Sequence, residues 1–238
     1  MGRLPRTAGC RSGYLLKILA IDTSSEYCSA ALWCEGEIDA RETRAGRRHS
    51  ELVLGMVDEL LARRGLGVKA LDGIAFGAGP GSFTGLRIAC GVTQGLAFAA
   101  GIPVVGVGTL LAMAEAAQAE RIVCCLDARM HEVYHAAYEK SDGKWNVVHA
   151  PGLCAPAAAP ELPGRAWFGG GSGFAAYREA LMQRYDGKLS AVDIELHPRA
   201  QEIARLAVPQ FEQGMGIDAA LAVPLYIRDK VALKTQER

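Results

Sequence analysis

Two aspartates, a glycine-rich loop and a His-Glu-x-x-His pattern are the residues of this chain whose types and spacing could do chemistry. Asp22 closes the apolar run of "ILAIDTSSEYCSAAL", and Asp127 closes that of "VCCLDARMHEVYHAAY". A carboxylate at such a strand end can help hold the Mg²⁺ of a bound nucleotide. "GAGPGSFTGLRIACGVTQGLAFAAG", Gly77 to Gly101, follows an apolar run Ile74–Phe76. It has the form of a strand, a glycine turn and a helix that Ser82 or Thr84 can cap, whose amides could face an anion. A Walker loop needs a Gly-Lys-Ser/Thr that is missing here, and the dinucleotide fingerprint needs a third glycine where Ser82 stands. Two readings therefore stay open: an anion site, or a tight turn that lets helix and strand pack closely.

His131-Glu132-Val133-Tyr134-His135 spells the zincin signature. A zincin needs it on a helix, where the two histidines share one face. Here it follows a predicted turn and alternates as a strand does, which would put the imidazoles roughly 13 Å apart, at about 3.3 Å per residue. The metallopeptidase reading is thus the remote one. His49 has Val53 four residues on, so no His-x-x-x-His pair forms there either.

The elements that must position these groups follow from the pattern. Residues 17–46 read as three strands joined by turns. "RRHSELVLGMVDELLARRGL" is an amphipathic helix with Ser50 as its expected N-cap, a stripe Leu52, Val53, Met56, Val57, Leu60 and Leu61, and Gly65 beyond its end. A strand over 73–76, a helix over 84–99, a strand in "IPVVGVGTL" and a helix over 109–118 come next. At Arg121 the pattern restarts: Asp22 matches Asp127, and Ala30-Ala31 match Ala136-Ala137, with one extra residue in the second copy. Pro151–Pro163 reads as a connector, "AWFGGGSGFAAYREALMQRY" as strand, glycine turn and helix, and 198–213 as a helix. The expected fold is α/β: two lobes, each a mixed sheet led by a β-hairpin and flanked by helices. Residues 1–16 are expected to be a disordered tail or an over-long start, 17–118 the first lobe and 119–238 the second, whose last helix is placed to pack back on the first.

Within the 84–99 helix, Gly91, Gly95 and Ala99 recur every fourth residue beside Ile88, Val92 and Leu96. A helical glycine costs about 1 kcal/mol relative to Ala. Two on one face suggest a close-approaching backbone, within the lobe or from another subunit. The run Arg41, Arg44, Arg47, Arg48 is a solvated loop or a contact for RNA backbone.

Composition bounds the rest. The chain has 238 residues, half of them hydrophobic, with 26 basic side chains matching 26 acidic ones. No global field draws it to nucleic acid or an anionic membrane. Seven cysteines without a Cys-x-x-Cys suit reduced thiols in a cytoplasmic protein. The uncharged run between Arg87 and Glu115 is long enough to span a bilayer, but Gly101, Pro103, Gly106 and Gly108 cut it into shorter elements.

"ILAIDTSSEYCSAAL", "HSELVLGMVDELL", "AGPGSFTGLRIACGVTQGLAFAAGIPVVGVGTL", "LDARMHEVYHAAY" and "PLYIRDKVALK" together resemble the TsaB family of bacterial tRNA threonylcarbamoyladenosine biosynthesis proteins. The likeness runs from about Lys17 to the C-terminus. It implies the two-lobed actin-like (ASKHA) fold and a part in placing threonylcarbamoyl on the adenosine 3′ of the anticodon. It further implies a chain without catalytic or metal-binding residues of its own, a scaffold that pairs with the catalytic paralogue TsaD. ATP and metal would sit on partner subunits, the small ATPase TsaE would complete the assembly, and tRNA would be met through the complex. A homodimer in isolation is the alternative pairing. The family's dimer contact is helical, which places Val53, Met56, Leu60, Ile88, Gly91 and Gly95 as interface residues here. The competing reading is an active actin-like ATPase or small-molecule kinase, using Asp22 and Asp127 near Mg²⁺ and Gly169, Gly170 and Gly171 against adenosine. Neither "DTSS" nor "DARM" carries the glycine that would let backbone amides approach a phosphate, which argues against it.

Overall fold

The computed structural model of the protein describes residues 16–228. The tail expected over 1–16 lies outside them except for Leu16, as does the part of "PLYIRDKVALK" beyond Arg228.

Two units follow one plan. The first runs β1 (Lys17–Asp22), β2 (Tyr27–Cys34), β3 (Glu37–Arg44), α1 (His49–Arg63), β4 (Gly73–Gly79), α2 (Phe83–Ala100), β5 (Val104–Gly108) and α3 (Thr109–Ala116). The second runs β6 (Arg121–Asp127), β7 (Val133–Ser141), β8 (Lys144–Cys154), β9 (Trp167–Gly170), α4 (Ser172–Ala176), α5 (Arg178–Arg184), β10 (Leu189–Asp193) and α6 (Ala200–Glu212). The sheets are ordered β3-β2-β1-β4-β5 and β8-β7-β6-β9-β10, the same order strand for strand. In each, the leading three strands are antiparallel and the remaining two run parallel to the first. The sequence repeat is therefore a repeat of topology. Its registers differ in detail: Ala30 lies opposite Ile21, one residue before Asp22, whereas Ala136 lies opposite Cys124, three before Asp127. A two-residue offset preserves which face a side chain takes.

The central strands are apolar because both faces are covered. On one face of the first sheet, Leu19, Ile21, Ile74 and Phe76 pack against Val53, Val57, Leu60 and Leu61 of α1 and Ala89 and Ala97 of α2. On the other, Ile18, Ala20, Ala75 and Val105 meet Ala112 of α3 and Ala200, Ile203, Ala204 and Ala207 of α6. Helix α3 turns Leu110, Met113 and Ala114 the opposite way, into a cluster with Ile122, Cys124 and Ala136 of the second sheet. Last in the chain among the helices, α6 thus closes the first sheet. On the outer face of the second sheet, Val123, Cys125, Ala137 and Trp167 pack against Phe174 of α4, Leu181 of α5 and Tyr185.

Local expectations fare unevenly. Ser82 caps α2, its hydroxyl accepting from the Gly85 amide at 3.3 Å, and Gly101 ends that helix at φ +69°. Ser50, the expected cap of α1, lies inside it. The helix starts at His49, with Arg48 at the cap position and no side-chain cap. A tertiary bond sets this start: His49 Nε2 donates to the Ser25 carbonyl at 3.0 Å, tying α1 to the first hairpin. The expected connector over 151–163 begins later, since β8 runs to Cys154. The single helix expected after Gly171 is two short ones that break at Tyr177.

Ile203 is wholly buried although it reaches the first sheet from the far end of the chain. Ile203→Ala is expected to lower stability by about 2–5 kcal/mol in urea unfolding, the range for emptying a large aliphatic site.

Candidate functional site

The tip of the first hairpin is buried by the glycine loop. Asp22 and Thr23 have no exposed surface and Ser24 has 2%. The Thr23 hydroxyl donates to the Gly85 carbonyl at 2.6 Å, and the Ser82 amide donates to the Ser24 carbonyl at 2.8 Å. This approach is open only to glycine. A Cβ on Gly85 would stand 1.8 Å from the Thr23 carbonyl oxygen, one on Gly81 2.5 Å from that of Ser24, and one on Gly77 2.0 Å from Asp22 Oδ2. Of the two readings open for the loop, its geometry supports close packing. The Ser82 amide and the Gly85 carbonyl are engaged by the hairpin tip.

Asp22 is an isolated carboxyl in this packing. Oδ1 accepts from the Ser24 amide at 3.1 Å and the Ser24 hydroxyl at 3.0 Å. Oδ2 has no hydrogen-bond partner among the described residues. Burial pushes the carboxyl up to about 7; the Ser24 bonds and His197 pull it down, and Glu42 adds to the rise. His197 stacks on Tyr27, with ring centres 3.8 Å apart and planes 7° from parallel. Its Nδ1 bonds the Glu195 carbonyl at 2.6 Å. Its Nε2 lies 3.2 Å from Glu42 Oε1, within ion-pair distance but not aligned as a hydrogen bond. Burial opposes the charged ring, yet Glu42 and the Glu195 carbonyl hold its pKa above the usual histidine value.

The second tip is built differently. Asp127 Oδ1 accepts from the Arg129 amide at 2.8 Å and the Tyr177 hydroxyl at 3.1 Å, while Oδ2 lies 3.1 Å from the Arg129 guanidinium. Its own amide donates to Ser172 Oγ at 3.1 Å. Arg129, Met130 and His131 all take positive φ, near +60°. Gly169 and Gly170 are buried in β9, and Gly171 has φ +112°. A Cβ on them would meet Phe174 at 2.9 Å, Leu196 at 2.4 Å and the Cys125 carbonyl at 2.5 Å respectively. All three are thus used for close packing in this structure. Of the five residues considered for a nucleotide, only Asp127 keeps appreciable exposure, 15% of its side chain.

The His-Glu-x-x-His pattern straddles a turn and a strand. His131 sits in the left-handed turn and His135 on β7, buried against Gly152. Burial, and after it His149, holds the His135 pKa below the usual range. No helix places the two imidazoles side by side. Among the described residues no cluster of His, Cys, Asp and Glu could hold a metal.

The predicted partner residues divide. Val53 and Leu60 have no exposed surface; they belong to the core between α1 and the sheet and cannot reach a partner. The helical stripe holds both core and surface positions, and its centre faces inward. Met56 and Ile88 are half-buried. Gly91 and Gly95 are exposed, with nothing within 4 Å of where a Cβ would stand, so these two glycines serve no packing among the described residues. Beside them runs the segment after α6. Cys90 Sγ and Gln94 Nε2 both donate to the Ala222 carbonyl, which leaves Leu221 and Val223 66% and 71% exposed next to α2. Phe98 is 79% exposed on the same helix. Sequence reasoning missed Leu221, Val223 and Phe98, because only the docked tail brings the first two alongside the helix. Of the basic run, Arg41 pairs with Glu59 at 2.9 Å and Arg44 with Glu26 at 2.6 Å, while Arg47 and Arg48 stay exposed.

Comparison with known proteins adds the following. A family model described as TsaD, tRNA N6-adenosine threonylcarbamoyltransferase, matches residues 42–235. The chain is 39% identical to the tRNA threonylcarbamoyladenosine biosynthesis protein TsaB of Haemophilus influenzae, over 92% of this chain and 96% of that one. It is 36% identical to the protein of the same name from Escherichia coli, over 92% and 97%. Among solved structures it superposes on YeaZ from Pseudomonas aeruginosa with a TM-score of 0.82 and 38% identity, covering 89% of this chain and 99% of that one.

Asp22 has a folded pKa near 7 and an unfolded one near 4. Its contribution to stability is full below about pH 4 and is lost as pH rises through 7. Asp22→Asn keeps the acceptor for Ser24 and removes the titration. Urea unfolding across pH should show the variant gaining on the parent between about pH 4 and 7, by a few kcal/mol at most, and holding steady above. A pH-independent difference would contradict this account of Asp22.

Proposed function

The chain belongs to the TsaB family of tRNA threonylcarbamoyladenosine biosynthesis proteins, and on that premise we propose that it is a supporting subunit of the cytoplasmic machinery that makes this modification. It holds a TsaD-type threonylcarbamoyltransferase in working form by pairing with it, and it does not itself turn over nucleotide. ATP and metal belong to the partner subunits, a TsaE-type ATPase completes the assembly, and tRNA is met through the complex.

One observation carries the non-catalytic part of this reading. The strand end that would present a carboxylate to a nucleotide's Mg²⁺ is sealed beneath the glycine loop, with Asp22 and Thr23 wholly buried. The pairing part is supported by α2. Exposed Gly91 and Gly95 form a shallow trough between the half-buried Ile88, Val92 and Leu96 and the exposed Leu221 and Val223. Such a trough lets a second helix approach to backbone distance.

Two measurements test this reading. The purified chain should hydrolyse ATP no faster than buffer and should co-purify in equal amounts with a co-expressed TsaD-type protein. Brisk hydrolysis that Asp22→Ala abolishes would instead make the chain an actin-like ATPase or kinase. Gly95→Leu should abolish co-purification with the TsaD-type partner and any self-association. The added side chain enters open space and relieves about 1 kcal/mol of helix propensity cost, so the isolated chain should unfold at the same or higher denaturant concentration. Full-yield co-purification of Gly95→Leu would place the partner elsewhere.

A further inference from the structure

The C-terminal segment holds an arrangement that the proposed pairing does not use. After α6 the chain bridges to β5 through Ile217 and Val104, makes a short 3-10 turn and lies along α2. It then crosses from the first unit to the second within four residues. The Leu225 amide donates to the Ala78 carbonyl at 2.7 Å, and the Leu225 carbonyl covers Gly79, where a Cβ would stand 2.7 Å from it. Tyr226 lies against Phe83, with ring centres 5.6 Å apart, and the Arg87 guanidinium sits 3.3 Å over the Phe83 ring. Arg228 then enters the β6–β7 turn with 12% of its side chain exposed. Leu225–Arg228 therefore forms one wall of a small cleft whose other walls are Pro80, Gly81, Phe83 and Tyr134.

The turn that receives Arg228 is the strained one. Arg129, Met130 and His131 are three successive non-glycine residues in the left-handed region, a conformation that persists only where its surroundings over-determine it. Within the turn, the Ala128 amide donates to the Glu132 carbonyl and the Glu132 amide to the Arg129 carbonyl. The Ala128 carbonyl is met from outside, by Arg228 Nη2 at 3.0 Å, and the Arg129 carbonyl by the same nitrogen at 3.4 Å. That nitrogen is also 2.7 Å from Glu132 Oε2, and Nη1 points at Met130 Sδ. One guanidinium thus touches four of the five residues from Ala128 to Glu132. A planar, permanently charged fork can serve carbonyls and a carboxylate together.

We propose that Leu225–Arg228 is a latch across the two units. It ties the end of β4 and the glycine loop of the first unit to the β6–β7 turn of the second, and Arg228 is the residue that locks it by holding the Ala128–Glu132 turn in its left-handed form. With Arg228 withdrawn, the turn relaxes, the tail lifts from Gly79, and the glycine loop and the β6–β7 turn are free to move relative to one another. The latch belongs to the chain alone and does not depend on any partner.

Amide hydrogen exchange on the full-length chain, free of partners, tests the latch with Arg228→Ala. The expected result is exchange at least about tenfold faster at residues 128–133 and 222–228, with the amides of β1, β4 and α1 unchanged. Wild-type protection at 128–133 in the variant would overturn the proposal. So would a uniform acceleration across the whole chain, which would make Arg228 a contributor to global stability and not a local lock. Neither result bears on whether the chain pairs with a TsaD-type protein.

Discussion

The docking of the glycine loop onto the first hairpin tip is the contact on which the rest of the structure depends. Thr23 and Ser24 bond to Gly85 and Ser82, and three glycines make room for the approach. This contact sets where α2 begins, because Ser82 serves at once as the helix cap and as a donor to the hairpin. It also sets what the hairpin can do. The Thr23 hydroxyl is spent on the Gly85 carbonyl and the Ser24 amide on Asp22. Asp22 is left with one oxygen unpaired and a carboxyl that resists ionisation. Burying such a group without a full set of partners is costly, and the surrounding core has to offset that cost.

Duplication makes the difference between the two tips informative. Both sheets have the same strand order, and both leading hairpins end their first strand in Asp. In the first unit the tip is covered by the chain's own loop. In the second, the aspartate is satisfied by Arg129, Tyr177 and its own turn, and the turn is gripped by the tail. Equivalent positions are thus held by different contacts. The helices diverge as well. α1 separates β3 from β4, whereas the matching interval between β8 and β9 holds only a 3-10 turn at Pro156–Ala158. A helical face is therefore available on the first unit and missing at the matching place on the second.

Along β4, the glycine loop and α2, glycine carries two opposite meanings. Gly77, Gly81 and Gly85 are required because a backbone or side chain lies where a Cβ would go. Gly91 and Gly95, a few residues on, meet nothing among the described residues. Each costs helix stability without relieving a contact there, which is why the proposed pairing rests on them. The tail beside them presents Leu221 and Val223 because its buried neighbour, Ala222, is tied down by Cys90 and Gln94.

Much of this was legible in the sequence. Period-two and period-3.6 patterns identified the strands of the first unit and α1 and α2, and the repeat of Asp22 and Asp127 anticipated the duplicated topology. Ser82 and Gly101 marked the ends of α2 by local chemistry that needs no distant partner. The resemblance to TsaB located the chain in its family. What stayed hidden depended on contacts between residues far apart in the chain. His49 begins α1 because of Ser25, not because of the cap that Ser50 suggested. Val53 and Leu60 point into the core, since periodicity defines an apolar stripe without stating which part of it the sheet covers. Two glycine sets of similar appearance were told apart only by what lies opposite them. The role of Arg228 rests on a turn about a hundred residues earlier. Residue order alone therefore determined the elements, their caps and the duplicated plan, because these arise from interactions within a few residues. Tertiary structure alone decided which groups are sealed and which are open to a partner, because burial is a property of what the folded chain brings together.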